Sequence, residues 1–138
     1  MEILLDTQIL IWFQLNHPNL KDATTELITD RKNTIYVSDI SLYEITIKQT
    51  IGKLSDFAID ISDIITVGKE DGFNFIPLSH ETIATYADVP LHDNHRDPFD
   101  RMIIATAKAH GLAIVSTDEK FEWYRHYVPI IQTSSPRI

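Results

Sequence analysis

Short apolar runs bounded by polar residues alternate along this chain with longer stretches whose apolar residues recur every three or four positions. The first pattern predicts buried strands and the second predicts helices. Ile3-Leu4-Leu5, ending at Asp6, is the first strand, and helices follow over 8–15 and 20–31. Thr34-Ile35-Tyr36-Val37 is β-branched and aromatic, which predicts a second strand. Ser38 and Asp39 suit the N-cap of a helix running to Ile51, where Gly52 can stop it. Ile61, Ile64, Ile65 and Gly68 keep helical spacing, so 60–71 is a further helix, and Phe73 to Ile76 is a third strand ending at Pro77. Ser79 caps a helix running to Asp88, with Ile83, Tyr86 and Ala87 as its core face. The polar stretch from Val89 to Arg96, with Pro90, is a loop. Pro98 opens a helix that closes at Gly111. Leu112 to Val115 is a fourth strand with Asp118 just beyond it, and Val128 to Ile131 is a fifth.

Strands alternating with helices predict an α/β fold, a central parallel sheet of about five strands flanked by helices. The 138 residues carry no repeat or linker and are read as one domain, 1–138. Ligands of such folds bind beyond the carboxyl ends of the strands, and Asp6 and Asp118 both lie there. An Asp after a strand is also a common helix cap, so position by itself does not decide between the two roles.

Helix geometry makes two further carboxylates unusual. On the helix from Asp39, at ~100° per residue, Glu44 falls ~40° from Ile40, on the margin of a stripe formed with Tyr43, Ile47 and Ile51. Its bland partner is Lys48, one turn on. On the helix from Pro98, Asp100 points out of an arc containing Ile103, Ile104 and Ala107. Asp97 is well placed as the cap of that helix.

Composition now sharpens the chemistry. Cysteine is absent, which excludes disulfides, thiolate zinc sites, iron–sulfur clusters and a cysteine nucleophile. No apolar run approaches the ~18 residues of a membrane helix, and Glu2 and Asp6 interrupt any leader-like opening, so the protein is expected in the cytoplasm with no membrane partner. The net charge of −8 does not advertise nucleic-acid binding but leaves room for a site of carboxylates. Paired carboxylates about 5 Å apart repel by about 3 kcal/mol at an effective dielectric of about 20. Asp6, Glu44, Asp100 and Asp118 converging on one rim therefore call for a cation, and all-oxygen donors select Mg2+ or Mn2+ over zinc. That chemistry suits phosphodiester hydrolysis by an activated water.

Four segments resemble the PIN domain family, and more closely its VapC-like toxin ribonucleases. They are Ile3-Leu4-Leu5-Asp6-Thr7, the stretch from Val37 through Glu44 to Leu54, the string His95-Arg96-Asp97-Pro98-Phe99-Asp100-Arg101, and Val115-Ser116-Thr117-Asp118. The resemblance spans nearly the whole chain in order. It implies a PIN-like sheet, an endoribonuclease using Mg2+ or Mn2+, a homodimer, and a cognate VapB-like antitoxin as partner. It also implies that Asp6, Glu44, Asp100 and Asp118 are the catalytic and metal-site residues, with Thr7, Ser116, Thr117 and Asp97 in support. RNA phosphates are then expected at His95, Arg96, Arg101 and Lys48, within a basic ring that Lys53, Lys120 and Arg125 complete. The antitoxin is expected on an apolar surface that includes Ile9, Trp12 and Phe13.

Other readings weigh less. His92 and His95 with Asp93 lack further ligands at zinc spacing. A phosphatase with Asp6 as nucleophile would want a second acid two residues on, where this chain has Gln8. Trp123, Tyr124 and Tyr127 read as core or interface residues. The alternative function is a PIN-fold interaction module with weak or no nuclease activity.

Overall fold

The first strand, β1 (Glu2–Leu5), shows how the sheet is buried. Ile3 and Leu5 enter one hydrophobic cluster and Leu4 enters another, because successive strand residues point to opposite faces. Both faces are covered, so the run is continuously apolar rather than alternating. β2 (Thr34–Ser38), β3 (Asn74–Ile76), β4 (Ala113–Ser116) and β5 (Ile130–Gln132) pair in parallel with it in the order β3-β2-β1-β4-β5. This computed structural model describes residues 1–133.

The helices are α1 (Thr7–Leu15), α2 (Asp22–Thr29), α3 (Asp39–Thr50), α4 (Ile61–Glu70), α5 (His80–Tyr86) and α6 (Pro98–His110). Ile9 and Leu10 of α1, Ile28 of α2 and Ile64 of α4 pack on the face of Ile3 and Leu5. Ile103 and Ile104 of α6 pack on the face of Leu4 and Ile114. α3 touches both α1 and α6 and contributes to both clusters, Leu42 and Ile45 to one and Ile40 to the other. Gly68 of α4 sits where a Cβ would come within 2.7 Å of the Phe75 ring, so its missing side chain lets the helix lie close to β3. Gly111, at φ +67°, supplies the left-handed turn that ends α6 and feeds β4.

Several boundaries move by a residue or two from the sequence expectation, and one element was missed, a 3-10 helix over Glu119–Tyr124. Its Phe121 and Tyr124 are fully buried. Two expectations fail outright. Tyr43 and Ile51 are exposed, so the buried face of α3 is Ser41, Leu42, Glu44 and Ile45 instead. Ile83 and Ala87 are exposed as well, and α5 buries Thr82.

The order of the strands sets the position of the site. From β1 the chain first moves outward to β2 and β3, then returns to the other side of β1 as β4. Such a reversal opens a crevice at the carboxyl ends of the two strands involved. No described helix is long and apolar enough to cross a membrane.

Candidate active site

Leu5 of β1 is in register with Val115 of β4, which brings Asp6 and Ser116 side by side. The Asp6 amide donates to the Val115 carbonyl, and the Ser116 hydroxyl donates to Asp6 Oδ2 at 2.8 Å. The same hydroxyl accepts the Asp118 amide at 3.0 Å, so one buried serine ties both strand ends together. Asp6 occupies the N-cap position of α1 but its side chain makes no cap bond. Asp97 and Asp118 behave differently. Asp97 accepts the amides of Phe99 and Asp100, and Asp118 accepts that of Lys120. Helix α3 is anchored to α1 by a 2.8 Å hydroxyl bond from Thr7 to Ser41, which sets Glu44 one turn further along the same face. Asp100 lies in the first turn of α6, where the helix dipole favours a negative charge.

Asp6, Thr7, Gln8, Glu44, Lys48, Asp97, Asp100, Thr117 and Asp118 line one cavity of about 320 Å3. Its electrostatics are unbalanced. Burial pushes the Asp6 carboxyl up to about 7; the Ser116 bond opposes the rise, and the charges of Asp100, Glu44 and Asp118 add to it. Asp100 is also raised to about 7, first by burial and then by Asp97, Glu44 and Asp118, with Lys48 opposing. Burial alone would lower the Lys48 ammonium, but its 2.7 Å bond to Glu44 Oε2 together with the charges of Glu44, Asp97 and Asp100 outweighs that, and the net shift is upward. The other Glu44 oxygen, Oε1, is buried without a hydrogen-bond partner. A buried carboxylate oxygen left open is costly unless something cationic reaches it.

These donors fit a small hard cation such as Mg2+ or Mn2+ in kind: they are all oxygens, they repel each other, and one is unsatisfied. They are not closed around a point. Among the described residues no three Asp, Glu or His side chains stand at the mutual spacing of a metal cage. Lys48 draws Glu44 aside and His95 holds Asp100 by a 2.9 Å contact from Nε2 to Oδ2.

A sequence profile of the PIN domain matches residues 3–126. The chain belongs to the PIN domain family. No curated protein sequence matches it significantly. Solved structures share the fold at low identity. The VapBC2 complex of Rickettsia felis, bound to a DNA fragment from its promoter, is 19% identical over 96% of this chain and 98% of the other, with a TM-score of 0.67. VapBC-5 of Mycobacterium tuberculosis, from the VapBC family of toxin–antitoxin systems, is 14% identical over 97% and 98%, with a TM-score of 0.63. FitAcB of Neisseria gonorrhoeae is 20% identical over 95% and 97%, with a TM-score of 0.62.

In this PIN domain the four carboxylates expected from sequence share one cavity with Thr7, Thr117, Asp97 and Lys48, while Ser116 supports it from behind. Four expectations around it need correction. His95 is buried and cannot reach a phosphate; it is packed against Phe121, Trp123 and Tyr124. Burial is also the largest influence on its imidazole, and the net shift is downward. Arg101 is buried too, donating to the carbonyls of Val89 and Pro90 and lying over the Tyr86 ring. Ile9 is fully buried and offers no surface, although Trp12 and Phe13 beside it remain partly exposed. The basic ring does not form around the cavity. Arg96 points outward toward Asp93, Arg125 is bound to Glu122, and Lys48 is the one cation among the described residues on the cavity wall. Sequence reading missed Tyr124 as a site element, because nothing in its local spacing shows that its hydroxyl meets His95.

Proposed function

We infer that this PIN domain is an endoribonuclease dependent on Mg2+ or Mn2+, the toxin of a toxin–antitoxin pair, acting as a homodimer and restrained by a VapB-like antitoxin. The observation that carries this reading is the cavity of Asp6, Glu44, Asp100 and Asp118, desolvated and with Lys48 as its single described counter-charge. Family membership and the fold shared with toxin–antitoxin proteins support it.

Asp6 and Asp100 would be the principal cation ligands, with Glu44 and Asp118 binding directly or through water. When bound, the cation supplies positive charge at the attacked phosphate and lowers the pKa of a coordinated water. The chain itself does the positioning. Ser116 fixes the Asp6 carboxylate, and the 2.8 Å Thr7–Ser41 bond fixes the relation of the two helices that carry Thr7 and Glu44. An antitoxin Arg or Lys would satisfy the same carboxylates and displace the cation, while apolar antitoxin residues would meet the partly exposed Trp12 and Phe13 further along α1.

The test is incubation of purified protein with total cellular RNA, with and without Mg2+, followed by mapping of cut sites. Mg2+-dependent cuts that disappear on adding the antitoxin encoded beside it are expected. The scarcity of cations on the cavity wall is the observation that favours the alternative, a PIN-fold interaction module. Antitoxin binding with no cleavage under any divalent cation would establish that module instead.

A further inference from the structure

We propose that His95 is a positioning residue for Asp100, its ring proton fixed on Nε2 by a buried relay that begins at the Tyr124 hydroxyl. The proposal rests on the reading of Asp100 as a cation ligand.

The direction of the relay follows from what each group can donate. The Tyr124 hydroxyl carries one proton to donate and is hydrogen-bonded to the His95 imidazole. Tyr124 is 0% exposed, so its own proton has no bulk water to go to. Nδ1 of His95 stands 2.8 Å from that hydroxyl and takes the proton's hydrogen bond. With Nδ1 accepting, the imidazole proton sits on Nε2, and it is donated across 2.9 Å to Asp100 Oδ2. The opposite tautomer would strand the tyrosine proton in the core.

The relay answers a need visible in the cavity. Asp100 faces Asp97, Glu44 and Asp118, all of which repel its charge. A short side chain repelled from three sides would swing outward unless one oxygen were tethered. His95 supplies the tether from inside the core, where the neighbouring rings prevent it from turning. The string His95-Arg96-Asp97-Pro98-Phe99-Asp100-Arg101 thus encodes two of the three relay members, His95 and Asp100, around one helix opening.

Three variants of the full chain test this: Tyr124→Phe, His95→Gln, which keeps an N–H donor at similar reach, and His95→Leu. The first readout is the 15N spectrum of the His95 imidazole, taken without metal. The Nε2–H tautomer is expected in the unsubstituted protein, with a shift toward Nδ1–H in Tyr124→Phe. The second is Mn2+ affinity by titration. Losses of about 10-fold are expected for Tyr124→Phe and up to about 100-fold for His95→Leu, with substantial recovery in His95→Gln. If His95→Leu does not fold, Tyr124→Phe and His95→Gln carry the comparison. An Nδ1–H tautomer in the unsubstituted protein overturns the relay. So does unchanged Mn2+ affinity in Tyr124→Phe when Asp100→Asn has lost it. If Asp100→Asn itself keeps full Mn2+ affinity, the reading of Asp100 as a ligand fails, and the tautomer still judges the relay.

Discussion

The sheet has a cavity at each end, and they differ in a way that separates a site from a dent. At the amino ends of the strands, Phe13, Asp30, Arg31, Asn33, Glu70, Asp71 and Phe73 help line a cavity of about 420 Å3, larger than the 320 Å3 one at the carboxyl ends. Both walls are rich in acid. At the amino end Asp30, Glu70 and Asp71 are exposed, and Asp30 accepts the Lys32 amide in an ordinary turn. Water solvates these carboxylates, so nothing is gained by bringing in a cation. At the carboxyl end Asp6 is 5% exposed, and Lys48 is the one cation among the described residues set against the five acids of the wall. Size favours the wrong end; desolvation without full neutralisation picks the other.

The sharpest way to break this contrast is charge removal at both ends. Asp100→Asn keeps the shape and should lower RNA cleavage by about 10²-fold or more, the usual scale for losing one electrostatic contact to a transition state. Asp71→Asn should leave cleavage within about twofold, as expected of a solvated surface acid. Equal losses in the two variants, measured as initial rates at fixed Mg2+, would erase the distinction.

Cation binding comes next. Mg2+ or Mn2+ should raise the melting temperature of the unsubstituted protein and of Asp71→Asn, by about 2.7 kcal/mol of added stability at a hundred times the dissociation constant. In Asp6→Asn most of that gain should vanish, and EDTA should abolish cleavage altogether.

A smaller effect is expected from pH alone. Asp6 and Asp100 are raised to about 7 in the folded chain, against about 3.9 for an unfolded Asp. The folded state therefore holds more protons across this interval. The resulting stability is complete below about pH 4 and is lost as pH rises through about 7. Melting temperatures in EDTA should fall between about pH 5 and about pH 8. Asp6→Asn should flatten that fall, whereas Asp71→Asn should not.

The smallest effect concerns Asp97, which lines the cavity yet bonds the first amides of α6. Asp97→Ala should cost about 1 kcal/mol in denaturant melts, as loss of a helix cap does, and Asp97→Ser should restore most of it. Should Asp97→Ser fold well but lose cleavage as fully as Asp100→Asn, Asp97 belongs with the cation ligands.

Much of this was legible in the sequence because it depends on short-range rules. The strand ends that place Asp6 and Asp118 follow from apolar runs, and the α6 opening follows from Asp97 and Pro98. Glu44 was placed correctly on the wrong stripe. Its true neighbours include Ser41, a polar residue whose burial makes sense only once Thr7 of another helix bonds it. His95 and Arg101 were misassigned for the same reason. A charged string around a helix opening reads as surface until distant Tyr124 and the Val89 and Pro90 carbonyls are seen to absorb it.

The bond between Ser116 and Asp6 joins residues 110 positions apart. During synthesis at about 5–20 residues per second, roughly 5–20 s separate the making of the two. Through that interval the growing chain already carries Asp6 and Glu44, but β4 has not yet arrived to bury one and complete the crevice. Assembly of the pocket is thus deferred until β4 is made, so no nascent fragment that stops short of Ser116 holds it.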